Sequence, residues 1–467
     1  METLPPEIHA LIFSYACTFP ATSVSLSLVS KYFREASEPY RWYCVSLNGY
    51  EQVVKFARTL QRQLQAKVNG AKGKCTIAGR KHNASHRSEA TDKRIWPIYH
   101  LFVGDRDGHR YINCPSDCDP SHFSLQYASR YSQFPPALRE ILAYAAPSLV
   151  TLSFFSDSHS FEESVSSVMV VLSLAYPRLR ELTLRAGCTP SQVMGPAELQ
   201  TRHDCRMPML GRLHLALPYH GFENGNLDAT HRLVQTIAPR AFTAAQRDNS
   251  SDADGGADLS NSALSYLRFT MLDKWGSKRV VEVIHAELAE SHIVSPSLAL
   301  PAPPSDWDIP LTASASRVTW PRLVPPTISL FAIQPSPTST FYCSCCMDLR
   351  GDVDVMRILE RMAEVADKQR FLYLDRRSIK IRKCRTDPME VAGYGFAEAK
   401  MDWLERMQGE EGCWHAREGV ESEDDSESSF HRSPIASPIT VGKSRSARRA
   451  RAMMSRVGDA FKKLKLW

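Results

Sequence analysis

Few side chains in this 467-residue chain have a spacing that could hold a metal ion or run a reaction. Cys343-Ser344-Cys345-Cys346 contains one C-x-x-C pair, and Cys114 with Cys118 makes a C-x-x-x-C pair. A structural zinc site needs four ligands converging at near-tetrahedral geometry, usually from paired knuckles of regular spacing. These two pairs differ in spacing and lie far apart in the chain, so they read as free thiols and no metal site is assigned. There is no G-x-S-x-G elbow, no Walker-type glycine loop, no H-E-x-x-H pair and no dinucleotide fingerprint. His285 and Glu287 set a base beside an acid on a helical pattern, but without a nucleophile they read as an ordinary surface pair. The sequence therefore predicts no catalytic residue and no cofactor, and the chemistry to look for is binding.

Binding is written most clearly in the first 47 residues. Pro5 and Pro6 suit the first turn of a helix, where a missing N–H costs nothing, and Glu7 sits favourably at the positive end of the helix dipole. Ile8, Leu11, Ile12 and Tyr15 then fall three and four apart and share a face. After a polar turn from Thr18 to Ser23, Val29, Tyr32, Phe33 and Ala36 repeat the helical spacing, and Pro39 ends the run. Three helices this short bury little surface among themselves, so they call for a partner to cover the remainder.

This pattern resembles the F-box, the module that docks a substrate receptor onto the Skp-type adaptor of a cullin-RING ubiquitin ligase. Leu4, Pro5, Glu7, Ile8, Ile12, Phe13, Leu28, Val29, Lys31, Phe33 and Arg34 stand where that motif wants them, and Trp42 fits its late aromatic position. The departures are Ser30, where many members carry Cys, and Ala16-Cys17-Thr18-Phe19, where Leu-Pro is usual. The resemblance implies that Leu4, Pro5, Glu7, Ile8, Ile12, Leu28, Val29, Lys31, Phe33 and Arg34 bind the adaptor, with Lys31 and Arg34 at the rim. The competing reading is an amphipathic helical cap that only closes the next domain.

Beyond Ile95 a second pattern sets the architecture. Ile98-x-x-Leu101-x-Val103, Leu149-x-x-Leu152-x-Phe154, Leu179-x-x-Leu182-x-Leu184, Leu210-x-x-Leu213-x-Leu215 and Leu264-x-x-Leu267-x-Phe269 share one form. The step from Leu149 to Leu179 is 30 residues and from Leu179 to Leu210 it is 31, close to a fixed period. Each copy suits a turn entering a short strand whose alternate side chains point inward, and helical patterns such as Val165 to Tyr176 and Val280 to Leu288 lie between copies. One strand with one helix cannot bury its own apolar face, whereas stacked copies share a core. The pattern resembles degenerate leucine-rich repeats, which follow many F-boxes. The alternative is a single α/β sandwich of unrelated strands.

Composition and linkers complete the predicted organisation. The fold class is α/β: a three-helix F-box over 1–47, a helix and disordered basic loop over 48–94, and a curved leucine-rich-repeat-like solenoid over 95–297. A Pro/Ser-rich linker or crossing over 298–326, a closing strand-helix-strand unit over 327–416 and a disordered tail over 417–467 follow. The helix after the F-box is read from Tyr50 to Leu64 and the basic loop from Lys67 to Arg94. Tyr394-Gly395-Phe396, Asp402-Trp403-Leu404-Glu405-Arg406 and Gly409-Glu410-Glu411-Gly412-Cys413-Trp414 also resemble the ending of F-box-like proteins of mushroom-forming fungi, with Trp403, Leu404 and Met407 on the buried edge of a short helix. Twelve scattered Cys, an N-terminus without a basic region leading an apolar run, and no stretch longer than that around Val168 to Tyr176 point to a cytoplasmic or nuclear protein. The net charge of +6 resides in the last 25 residues, which hold nine Lys or Arg against one Asp, so the rest gives no case for specific nucleic-acid binding.

The resemblances together imply the substrate-recognition subunit of a Skp–cullin–F-box ubiquitin ligase, with a Skp-type adaptor, a cullin and an unknown protein substrate as partners. A non-catalytic repeat scaffold without a ligase is the alternative. In the tail, Ser433-Pro434 and Ser437-Pro438 offer sites to proline-directed kinases, and residues 443–467 set Met453, Val457, Phe461 and Leu464 at helical spacing among Lys and Arg. Such a segment suits an anionic membrane or an import factor, or folds back on the acidic run before it. The tail is expected to gain helix on anionic vesicles, where each nearby cation adds about 1 kcal/mol. Circular dichroism checks this, and no gain on either neutral or anionic lipid leaves import or intramolecular pairing.

Overall fold

Each copy of the recurring motif becomes the same local structure. Its first apolar residue (Ile98, Leu149, Leu179, Leu210 or Leu264) is buried in the turn ahead of a strand, and its second and third lie on the strand. The structure, a computed structural model, describes residues 4–17, 20–73, 96–105, 132–156, 161–194, 206–217, 225–242, 264–271, 277–290, 323–335, 358–364, 366, 370–374 and 396–414, all within the compact unit 1–416. The expectations for Cys114, Cys118, Cys343, Cys345, Cys346 and the tail lie outside these residues.

Eight strands run in chain order, each parallel to the next. They are β1 (Cys44–Asn48), β2 (His100–Gly104), β3 (Thr151–Phe155), β4 (Glu181–Arg185), β5 (Arg212–Leu217), β6 (Tyr266–Met271), β7 (Leu330–Gln334) and β8 (Phe371–Tyr373). The chain is thus α/β with an eight-stranded parallel sheet. Register aligns the motif leucines: Leu101, Leu152, Leu182, Leu213, Leu267 and Phe331 face one another across successive strands, and Val103, Phe154, Leu184, Leu215, Phe269 and Ile333 form a parallel row.

The strand entries repeat a hydrogen-bond device. One carbonyl accepts both the N–H that enters the next strand and its neighbour: Tyr43 from Tyr99 and His100, Tyr99 from Val150 and Thr151, Val150 from Arg180 and Glu181, Arg180 from Gly211 and Arg212. Gly211 does the same for Ser265 and Tyr266, and Ser265 for Ser329 and Leu330. A carbonyl has two lone pairs, so one turn residue satisfies two donors and hands the chain to the next strand at a fixed offset.

Helices α1 (Pro6–Ala16), α2 (Pro20–Val29) and α3 (Lys31–Ser37) precede the sheet, and α4 (Tyr50–Gly73), α5 (Phe134–Ala145), α6 (Phe161–Ser173), α7 (Pro190–Met194), α8 (Gly225–Ile237) and α9 (Ser277–Glu290) join its strands, with residues 358–364 also helical. A crossover between neighbouring parallel strands is right-handed, and in sequential order this places every crossover helix on one face of the sheet. Val53, Leu60, Ile141, Val171, Leu233 and Ile284 of those helices accordingly share one core with both leucine rows. The last helix, α10 (Phe396–Met407), packs instead in a second cluster with Cys44, Phe102, Phe155 and Ala216, whose side chains alternate with the core leucines.

Four readings of the sequence are corrected. Strand β1 begins at Cys44, so the N-terminal helical unit ends before residue 47 and the sheet starts well before 95. Trp42-x-x-Val45-x-Leu47 has the form of the later motifs, but Trp42 also fits the late aromatic position of the N-terminal helical pattern, which hides the strand. Helix α4 runs to Gly73, past Lys67 where the sequence predicts the basic loop to begin. Once Val53, Ala57 and Leu60 are docked, the Gln, Ala and Lys that follow extend the helix at little cost. Residues 323–326 of the supposed linker are seated, with Leu323 and Val324 buried and their N–H groups donating to the Glu287 carboxylate at 2.8 and 2.7 Å. Glu287 and His285 are therefore no surface pair: Glu287 holds that backbone, and His285 is buried, which lowers its pKa.

Leu213 sits at the centre of the shared core, fully buried, whereas Met209 in the preceding turn is exposed. Leu213→Ala is expected to cost about 3 kcal/mol of unfolding free energy through lost transfer and a residual cavity, and Met209→Ala less than about 0.5 kcal/mol. Urea titration checks both, and equal effects would contradict the stacked-core account.

Candidate interaction site

The N-terminal unit is held by an inner set of side chains different from the one its periodicity suggests. His9, Phe13 and Cys17, four apart on α1, are the buried ones. Phe13 meets Phe33 edge-on at 5.6 Å, and Tyr32 Oη lies 2.6 Å from His9 Nδ1. Pro6 begins α1, and Ser30 caps α3 by accepting the Phe33 N–H at 3.2 Å. Arg34 Nε donates to the Ser27 carbonyl at 2.9 Å, tying α3 to the last turn of α2.

Much of what remains outside is apolar. Leu4, Ile8, Leu11, Tyr15, Leu28, Val29 and Tyr32 are all exposed, with Leu28 at 75% and Leu11 at 66%, while Leu64, Met209 and Met401 are the other large apolar side chains so exposed among the described residues. Single exposed leucines are ordinary, but seven such side chains between Leu4 and Tyr32, on three short helices and the residue pair before them, are the signature of a binding surface. Of the predicted adaptor-binding residues, Leu4, Pro5, Glu7, Ile8, Leu28, Val29, Lys31 and Arg34 are exposed, while Ile12 and Phe33 are half-buried and support the others from beneath. Lys31 pairs with exposed Glu35 at 3.8 Å, a contact worth little in water. Sequence reasoning left Leu11, Tyr15 and Tyr32 off that list. Their apolar character marked them, but α1 is apolar on most sides and its hydrophobicity does not say which side turns inward.

A second candidate surface is the sheet face under α10. Register lines up His100, Thr151, Glu181, Arg212 and Tyr266 there, then Phe102, Ser153, Thr183, His214 and Arg268, then Gly104, Phe155, Arg185, Ala216 and Thr270. Phe396 stands edge-on to Phe102 and Phe155 at 5.3 and 5.4 Å. A Cβ at Gly104 would come within 2.5 Å of the Phe396 ring, so only glycine admits that approach. Buried Glu181 accepts from Arg406 Nε at 3.0 Å and from Trp414 Nε1 at 3.2 Å. Gly412, at φ +58°, makes the turn that brings Trp414 there, 5.9 Å from the Tyr266 ring. Farther along, Arg268 donates to Gln334 at 2.6 Å, and His214 Nε2 lies 2.9 Å from Thr270 Oγ1. Burial and Arg268 hold the His214 pKa well below the usual histidine value. Among the described residues no three His, Cys, Asp or Glu gather as metal ligands, and no helix is long and apolar enough to cross a membrane.

His100 gives this face a pH signature. Burial, with the Arg406 charge adding to it, lowers its pKa from 6.5 to about 4. Between those values the unfolded chain binds a proton that the folded chain does not, so stability is expected to fall as pH drops from about 6.5 toward 4. His100→Gln should lessen the dependence of the urea midpoint on pH across that window, with the remainder coming from His214 and His285. An unchanged slope would show that His100 is not the titrating group.

Compared with family models, with curated proteins and with solved structures, the chain has no match in any of the three.

Proposed function

We propose that the chain is the substrate-recognition subunit of a Skp–cullin–F-box ubiquitin ligase, acting in the cytoplasm, the nucleus or both. The observation that carries this reading is the set of seven exposed apolar side chains on α1, α2 and α3, in a unit whose sequence resembles the F-box. An adaptor groove that covers Ile8, Leu11, Leu28 and Val29 takes apolar surface out of water at about 25 cal/mol per Å². Arg34 serves first to join α2 to α3, so its contribution to the rim comes with a structural one.

Such a receptor needs no catalytic group. It holds a substrate lysine near a charged conjugating enzyme, and converting a bimolecular encounter into a local one supplies much of the acceleration. The regular strand entries and motif leucines support reading the sheet domain as leucine-rich-repeat-like, an extended platform suited to a protein substrate. Rigid attachment matters for this role, and Trp42 packing on Phe56 of α4 at 5.3 Å joins the helical unit to the sheet domain. The tail 443–467 adds a contact for an anionic membrane or an import factor.

Ile8→Ala with Leu28→Ala is expected to weaken binding of a purified Skp-type adaptor at least tenfold, since a central apolar anchor contributes about 2 kcal/mol. Both residues are exposed, so the melting temperature should hold. Lys31→Ala should change affinity little. Deleting the unit must stop before Cys44, where β1 begins. If the wild-type chain shows no adaptor binding at micromolar concentration, the ligase reading fails and a repeat scaffold without a ligase replaces it.

A further inference from the structure

A parallel sheet buried on both sides normally carries apolar residues on both faces. Here the face opposite the crossover helices carries Ser153, Thr183, Glu181, Arg185, His214 and Arg268 around a few apolar positions, which is the composition of a recognition surface. What occupies it is α10, and it sits there as a bound helix sits. Its contacts fall on one stripe, Phe396, Ala399 and Trp403, at i, i+3 and i+7. Charged contacts, Arg406 with Glu181 and Arg212 with Glu411, fix the segment's position along the groove.

The seat also leaves a polar group of the helix unmet. The indole N–H of Trp403 is buried without a hydrogen-bond acceptor. A crevice of about 10 Å³, room for about one water molecule, remains between α10 and strands β3 and β4, lined by Thr151, Ser153, Glu181, Thr183, Asp402 and Trp403.

We propose that this face is a helix-recognition groove whose resident occupant is the chain's own segment 396–414. It holds the place of a partner helix with an aromatic residue, a small residue three positions on, Trp four further and Arg three beyond that. A tethered occupant competes at an effective concentration on the order of millimolar, so a partner presenting the same pattern must outcompete it. The proposal needs only the sheet face. Adaptor binding by α1, α2 and α3 stands or falls separately.

The test uses the full-length chain and a fluorescein-labelled peptide of residues 396–414. The variant Trp403→Ala with Arg406→Glu, which releases the resident helix, is expected to bind the peptide at least tenfold more tightly than the wild-type chain does. Adding Gly104→Leu to that variant, or placing Trp403→Ala in the peptide, should cost at least tenfold. In the wild-type chain, amide hydrogens of 396–407 should exchange at least tenfold faster than those of β3 and β4. Exchange of α10 at the rate of those strands would overturn the proposal, as would a folded double variant that binds the peptide no better than wild type. A double variant without a cooperative unfolding transition also overturns it, because α10 would then belong to the fold rather than occupy its groove.

Discussion

Sequential parallel order is the constraint from which the other features follow. When eight strands pair β1 to β8 in chain order and each crossover is right-handed, every crossover helix lands on the same side. One face is therefore buried by construction. Its two leucine rows and the helices α4 to α9 make a continuous core that grows by one layer per repeat. Among the described residues the other face is covered by α10, which follows the last strand.

That asymmetry explains why Glu181 carries so much of the local structure. A carboxylate at the middle of a sheet face is costly to bury unless its oxygens are met by donors. Arg406 and the Trp414 indole supply them, one from α10 and one from the turn beyond it, and Arg212 on the next strand pairs with Glu411 at 3.3 Å. The polar groups that would make an uncovered sheet face wet are thus the groups that position its cover. The main core is cohesive through area, and this face through a few directed contacts.

The two candidate surfaces differ in kind for the same reason. On α1, α2 and α3 the inner side chains are few, and the apolar remainder stays exposed because three short helices have too little interior to hide it. Under α10 the surface is mostly polar and already occupied. A receptor that grips one partner through an open apolar patch and another through a covered groove would have one contact always available and one that depends on displacement.

The sequence by itself determined the period, the leucine positions and the alternation that set the core side of each strand. Leu152, Leu182 and Leu213 had to be inward once strands were assumed, because side chains alternate and only one set is apolar. It also marked residues 4–34 as the richest binding candidate. It did not determine which side of α1 turns in, because Phe13 and Leu11 are equally apolar and the choice rests on Phe33 and Tyr32 arriving from α3. β1 carries the motif as Trp42-x-x-Val45-x-Leu47, but Trp42 also fits the helical pattern before it, and only pairing with β2, more than fifty residues on, decides for the strand. The edge of α10 formed by Trp403 was legible, but its docking face was not. That docking depends on the rows Phe102, Ser153, Thr183 and Gly104, Phe155, Arg185, which exist only after separate strands are brought into register. Local periodicity encodes what each element hides, whereas the partner against which it hides is fixed by contacts between residues distant in the chain.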